Sequence, residues 1–285
     1  VNNFSVVIPA YNEAAVIVRC LKSVREANCG ELPQVIVVAN NCSDDTAQRA
    51  RDYDPSVVVI ETPIGSKTHA MNLADEVATC FPRFYMDADI TLEKNGLPKL
   101  CKELDKPGIF FVLPQASIKL EDRAWAVRAY YKVWAKLTAH RSGMVGSGVY
   151  GLGQEGRKRF DQFPRITADD NFARLHFTAA ERATVRDCKS FVTPPKTLAN
   201  IIDIKTRSHF GNEELKKLYP ELWTENESGS KLRFAKLALN PLWLPSLAVF
   251  LYVKFAVKKR VRERFKQGEI HKWERDDTSR EEVSC

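Results

Sequence analysis

Short runs of apolar, often β-branched residues alternate with amphipathic segments over the first ninety positions of the chain. Phe4 to Ile8 is such a run, ending at Pro9, and Glu13 to Ala27 then repeats its apolar positions with helical spacing. Val35 to Val38 reads as a second buried strand, closed by the polar stretch Asn40-Asn41-Cys42-Ser43-Asp44-Asp45. A helix is expected from Thr46 to Asp52, a strand from Val57 to Ile60, a helix from Lys67 to Thr79 and a strand from Phe84 to Met86. Strands alternating with helices predict an α/β fold with a right-handed, mostly parallel sheet flanked by helices. Polar residues gather after each strand, where such a sheet builds its ligand site. No Gly-x-Gly-x-x-Gly follows the first strand, which argues against a dinucleotide-dependent dehydrogenase.

Beyond Asp89 the pattern is less regular. Ile109 to Leu113 is an expected strand, and Asp122 to Ala139 an expected helix carrying Trp125, Tyr130, Tyr131 and Trp134. Those aromatics read as packing in preference to a sugar platform. Gly143 to Gly153 is a glycine-rich loop, Ile166 to Phe177 places Asp169-Asp170 at a helix start, and Phe191 to Gly211 is a proline-containing loop running into a basic helix.

The 285 residues suffice for one large domain or a domain with an appendage. The seven cysteines, at 20, 29, 42, 80, 101, 188 and 285, form no Cys-x-x-Cys pair, which points to reduced thiols and a cytosolic setting. No signal-peptide pattern is read in the chain. Charge is concentrated: residues 254–266 hold seven Lys or Arg (Lys254, Lys258, Lys259, Arg260, Arg262, Arg264, Lys266) against Glu263, a local +6 of the total +7. The rest is nearly neutral, so the basic balance is no argument for a nucleic-acid partner. The cluster follows the apolar stretch Leu237 to Val257, which together suggest a face for an anionic membrane at 237–266. That stretch has 21 residues, near the ~20 of a spanning helix. Asn240, Pro241, Pro245 and Lys254 interrupt it. The prolines are expected to break the helix near its start and leave Leu247 to Val257 too short to cross. An interfacial anchor is thus favoured over a span, with a helix packed in the core as the soluble alternative. The organisation expected is a catalytic domain over 1–230 (halves 1–90 and 91–230), a membrane-associating segment over 231–266, and a charged, disordered tail over 267–285.

The chemistry centres on Asp87-Ala88-Asp89 at the end of the fourth strand. Side chains alternate along a strand, so two carboxylates one residue apart project to one side. Two such hard oxygen donors can hold Mg²⁺ or Mn²⁺ bridging to a diphosphate; a solvated strand-end turn is the plainer reading.

Four segments line up in order: Val7-Ile8-Pro9-Ala10-Tyr11-Asn12-Glu13; Val37-Val38-Ala39-Asn40-Asn41-Cys42-Ser43-Asp44-Asp45-Thr46; Gly65-Ser66-Lys67 with Ala70-Met71-Asn72; and Asp87-Ala88-Asp89. In this order they closely resemble the family 2 glycosyltransferases, which have the GT-A fold, over roughly residues 4–215. The resemblance implies an activated donor, usually UDP-linked, a divalent metal (Mn²⁺ or Mg²⁺), and inversion at the anomeric carbon. It implies that Pro9, Ala10 and Tyr11 border the base and ribose, and that Glu13 accepts from a ribose hydroxyl, unless it only favours the helix dipole. The family usually has Asp-Asp where this chain has Ala39-Asn40; an amide both donates and accepts, so Asn40 remains a candidate for reading the base. Asp44 and Thr46 read as a helix cap. Lys67 matches a phosphate-binding position, Asp89 a direct metal ligand, and Asp87 a ribose contact or a water-mediated metal contact.

In the second half the resemblance implies that Asp170 is the general base, with Asp169 beside it, in Thr167-Ala168-Asp169-Asp170-Asn171-Phe172-Ala173-Arg174-Leu175. A plain helix cap by the pair is the alternative. Gly146-Ser147-Gly148 matches the floor of the acceptor site, or serves turn geometry. Lys205, Arg207 and His209 fall where the family has a Gln-x-x-Arg-Trp signature that this chain lacks, which lowers the case for a processive polymerase; Arg207 is a candidate diphosphate clamp and His209 a candidate metal neighbour, or a structural histidine. The expected function is transfer of a sugar to a saccharide or lipid-linked hydroxyl at the cytoplasmic face of a membrane, with an envelope polysaccharide as one acceptor. The competing readings are a sugar-1-phosphate nucleotidylyltransferase, whose glycine-rich basic loop after the first strand is missing here, and a non-catalytic membrane-surface binding module.

Overall fold

The computed structural model describes residues 3–138, 146–223 and 230–267, the side chains of 230–233 apart. These fall into two compact units, 3–119 with 146–193 and 120–138 with 194–223 and 230–267. In chain order the elements are β1 (Ser5–Ala10), α1 (Ile17–Ala27), β2 (Gln34–Asn40), α2 (Thr46–Tyr53), β3 (Val58–Thr62), α3 (Lys67–Val77), β4 (Arg83–Met86), β5 (Thr91–Leu92), α4 (Leu97–Leu104), β6 (Phe111–Ile118), α5 (Trp125–Thr138), β7 (Val149–Leu152), α6 (Gln154–Arg157), α7 (Asp169–Leu175), β8 (Arg182–Val192), α8 (Leu198–Leu218), α9 (Ser230–Ala238) and α10 (Leu244–Lys266).

The first unit is built on an eight-stranded sheet in the order β3-β2-β1-β4-β7-β6-β8-β5. β1 pairs in parallel with β2 and β4, and β2 with β3, so the ends of β1, β2 and β4 share one edge. β7 runs antiparallel between β4 and β6, and β5 antiparallel beside β8. β1 and β2 are buried along almost their whole length, which is why they read as continuous apolar runs. α1 packs Ile17, Cys20, Leu21 and Val24 into the same core as Phe4, Val6, Ile8 and Phe84.

α1 begins at Ile17, four residues later than the expected Glu13. The intervening turn is held from α2: Glu13 N donates to Thr46 Oγ1 at 2.7 Å and Ala14 N to Asp44 Oδ2 at 3.0 Å. Asp44 Oδ1 also accepts from Thr46 N at 3.1 Å, so the two residues pin the start of α2 and the approach to α1 together.

In the second unit α5, α8 and α10 pack together. Tyr130 stacks on Phe250 with centroids 5.4 Å apart, Phe210 stacks on Phe265 at 4.6 Å, and Asp203 pairs with Arg260. Tyr130 and Tyr131 are buried and Trp125 is exposed, so the aromatic series of α5 is largely packing. The expectation that the prolines break the C-terminal helix is corrected. Pro241 opens a 3₁₀ turn, and Pro245 sits in the first turn of α10, where a missing N–H costs no helical bond. Pro241–Lys266 is therefore continuous, and among the described residues it is the helix long and apolar enough to cross a membrane by length and composition alone.

Candidate active site

The turn after β4 is fixed by backbone. Asp87 N donates to Gly148 O at 2.8 Å. Gly148 has φ +68°, and a Cβ there would lie 2.4 Å from Ile90 Cγ1 and 3.3 Å from Asp87 Oδ2. Only glycine lets the strand leading into β7 come this close. Ala88 is buried while Asp87 and Asp89 flank it partly exposed. From α1, Arg19 donates to the Asp89 carbonyl at 3.2 Å.

Lys67 is the first residue of α3, whose N-cap is Ser66 accepting from His69 N. Its ammonium lies 2.7 Å from Asp87 Oδ1 and 3.1 Å from Asp169 Oδ2. Burial works against this charge, but Asp169, Asp87 and Asp170 outweigh it and hold the lysine well above its ordinary pKa. Asp169 and Asp170 occupy the first turn of α7, behind Ala168 at the N-cap, so neither is the capping residue. Asp170 Oδ1 accepts from Asn171 N at 2.7 Å. Burial raises the pKa of both carboxyls, with Lys67 opposing; Asp170 and Asp87 add to the rise at Asp169, which is pushed up to about 6, and Asp87 adds to that at Asp170. The structure thus joins Lys67, Asp87, Asp169 and Asp170 in one polar cluster.

Beneath it lies a second one. Asp75, two residues before the end of α3, accepts from Arg83 Nη1 at 2.6 Å, from Tyr85 Oη at 2.8 Å and from Arg157 Nη2 at 2.8 Å. Tyr85 stacks on Tyr150, whose buried hydroxyl has no hydrogen-bond partner among the described residues. Arg157 also donates to the carbonyls of Phe160 and Asp161, at 2.7 and 2.8 Å. Asn72, also on α3, exchanges two hydrogen bonds with the backbone of Phe163, each 2.9 Å. None of these was singled out as chemistry from the sequence; the signal available was Asn72 in the Ala70-Met71-Asn72 motif.

Other expected residues are placed as follows. Pro9 and Ala10 end β1, and Asn40 Nδ2 donates to the Ala10 carbonyl at 2.7 Å. That amide N–H therefore braces the strand ends. Tyr11 is partly exposed and Glu13 is buried. Gly146 precedes Ser147, whose buried hydroxyl donates to Val149 O at 2.7 Å. Arg207 and His209 stand on α8 in the second unit, with His209 Nδ1 4.0 Å from Glu213. Among the described residues no three His, Cys, Asp or Glu side chains form a metal cage. The Asp87–Asp89 turn suits a hard divalent ion whose shell is completed by oxygens of another molecule, the usual way Mg²⁺ is shared with phosphates.

A mostly parallel sheet whose strand ends carry a paired-carboxylate turn defines a GT-A glycosyltransferase fold. A model of glycosyl transferase family 2 matches residues 5–163, and the chain belongs to that family. Uncharacterized glycosyltransferases of Mycobacterium bovis and Mycobacterium tuberculosis are 37% identical over 103 residues, 36% of this chain. The chain spans only 44% of the length of those curated relatives. The fold is similar to that of mannosyltransferase PcManGT from Pyrobaculum calidifontis, solved with GDP-Man and Mn²⁺, at TM-score 0.60 and 19% identity over 93% of this chain and 79% of that one. It is similar to S. aureus TarS 1-349 with UDP at TM-score 0.51 and 14% identity, over 97% and 95%. Glucosyl-3-phosphoglycerate synthase from Mycobacterium tuberculosis, with Mn²⁺, UDP and glucosyl-3-phosphoglycerate, gives TM-score 0.51 and 19% identity over 80% and 82%.

Proposed function

We propose that this glycosyltransferase moves a sugar from a nucleotide diphosphate donor, UDP-linked in the first instance, to an acceptor hydroxyl with inversion. The observation that carries the reading is Lys67, which joins the donor-side turn at Asp87 to the acidic pair at Asp169–Asp170. Asp170, partly exposed at a helix start, takes the proton of the acceptor hydroxyl as its oxygen attacks the anomeric carbon and the bond to the diphosphate breaks. Lys67 contacts that diphosphate as a point charge and keeps Asp169 ionised beside the base. A divalent ion held by Asp89, with Asp87 beside it, supplies neutralisation of the leaving charge when bound. The Mn²⁺ in the PcManGT and glucosyl-3-phosphoglycerate synthase structures supports this choice.

Pro9, Ala10 and Tyr11 border the nucleoside, Glu13 faces the ribose, and Asn40 shapes the base pocket by bracing Ala10. Gly146, Ser147 and Gly148 floor the acceptor site. The acceptor is a saccharide or lipid-linked hydroxyl, as in envelope polysaccharide assembly. Leu251, Tyr252 and Phe255 are exposed on α10 beside Lys258, Lys259 and Arg262, which supports a membrane surface on the cytoplasmic side, where nucleotide sugars are made.

The test is release of free nucleoside diphosphate from a panel of UDP- and GDP-sugars with Mn²⁺. Release from one donor, abolished by Asp170→Asn, is expected. No release from any donor overturns the reading in favour of a non-catalytic membrane-surface module.

A further inference from the structure

α3 carries three polar side chains that each have a partner among residues 157–169. Lys67 meets Asp169 at 3.1 Å, Asn72 clasps the Phe163 backbone through two 2.9 Å bonds, and Asp75 holds Arg157. An amide side chain that donates to the carbonyl and accepts from the N–H of the same residue fixes that residue's backbone in both position and orientation. The connection continues through rings. Phe163 packs edge-on against Phe160 at 4.9 Å and tilted against Phe172 at 6.3 Å, and Phe160 meets Phe172 at 5.4 Å. Phe172 is in the same short helix as Asp169 and Asp170 and is 5% exposed. The helix bearing the acidic pair is thus tied to α3 at its acidic end through Lys67 and along its buried side through Phe163.

We propose that Asn72 is a positioning residue: by clasping Phe163 it sets where the acidic pair of α7 stands relative to the Lys67 end of α3, with the Asp75–Arg157 pair bracing the loop behind it. Asn72 touches neither donor nor acceptor in this role, which rests on the proposed assignment of Asp170 as base. One rigid helix then gauges the gap between donor diphosphate and base. A displacement of about 1 Å in such a gap costs on the order of 100-fold in rate.

The experiment is a double-mutant cycle with the full chain, measuring nucleoside diphosphate release from UDP-glucose and GDP-mannose with Mn²⁺, and binding of UDP and GDP by calorimetry. Asn72→Ala is expected to lower kcat about 10- to 100-fold while nucleotide affinity stays within about twofold. In an Asp170→Asn background the same change is expected to cost less than about threefold, because a displaced base that is already absent cannot be missed. Asn72→Asp, which keeps the acceptor half of the clasp, falls between. Full activity of Asp170→Asn defeats the base assignment itself. An inactive Asp170→Asn with Asn72→Ala at wild-type kcat, with equal losses in kcat and nucleotide affinity, or with losses that multiply, overturns the positioning role. Failure of both Asn72 variants to fold, read by circular dichroism, also overturns it, since the clasp would then serve the fold and not the gap.

Discussion

Replacing Lys67 by Met removes the one ammonium of the polar cluster and keeps much of its apolar length. It lies 2.7 Å from Asp87 and 3.1 Å from Asp169. At an effective dielectric of about 20, a pair near 3 Å has a gross attraction of roughly 5 kcal/mol. The Asp87 side chain is 40% exposed and its share is discounted for solvent screening, whereas that of Asp169 is 5% exposed and is not. Removing one partner of a buried pair typically costs about 3–5 kcal/mol. A buried carboxylate escapes part of that cost by taking a proton, at about 1.4 kcal/mol for each pKa unit. Asp169 already stands at about 6; a further ~3 kcal/mol lifts its carboxyl by about two units, above neutrality. The wild-type pH profile of kcat/KM is expected to lose activity as pH falls through about 6, because Asp169 then takes a proton and its charge beside the base is lost. In Lys67→Met the same limb moves to about pH 8, with at least ~100-fold lower kcat/KM at pH 7, while Lys67→Arg keeps it near its original place. Nucleoside diphosphate release between pH 5 and 9 at saturating Mn²⁺ reads both. A limb in Lys67→Met that stays within about 0.3 units of wild type would refute the coupling.

Further outcomes are expected elsewhere. Asp89→Ala should abolish Mn²⁺-dependent nucleotide binding in calorimetry and leave the circular dichroism spectrum intact; undiminished turnover would remove Asp89 from the metal site. Gly148→Ala forces a Cβ to 2.4 Å from Ile90 at a positive φ and should cost about 1–3 kcal/mol, seen as a lower denaturant midpoint. The full chain should sediment with anionic liposomes at low salt, and Leu251→Glu/Phe255→Glu should release it; equal sedimentation of both would clear that exposed face of the role.

The strands that set the edge of the site, β1, β2 and β4, were legible because burial on both faces leaves their centres mostly apolar. The Asp87–Asp89 turn stood out at the end of an apolar run, whereas the acidic pair stood out only through the family resemblance, since two carboxylates opening a helix look the same as plain first-turn acids. β5 was not, since two residues, Thr91–Leu92, carry no period, and its pairing with Ser190 and Phe191 is a matter of tertiary register. β8 escaped because Arg186, Asp187 and Lys189 break its alternation. Asn72 stood out only as part of the Ala70-Met71-Asn72 motif, and Asp75 not at all. Asn72 meets Phe163 91 residues on and Asp75 meets Arg157 82 residues on, and nothing local marks such distant partners. The prolines of the C-terminal segment were read as breaks because their position within the first turn depends on where the helix begins.

The cluster around Lys67 also dictates an order of events. Three carboxylates face the Lys67 ammonium, with Arg174 also acting on Asp170, so among the described residues the cluster stays net negative when all are ionised. A bare diphosphate, itself an anion, is repelled from such a pocket. Cation and nucleotide therefore arrive as one neutralised complex, or the cation first. Product inhibition by the nucleotide should accordingly steepen with Mn²⁺ concentration.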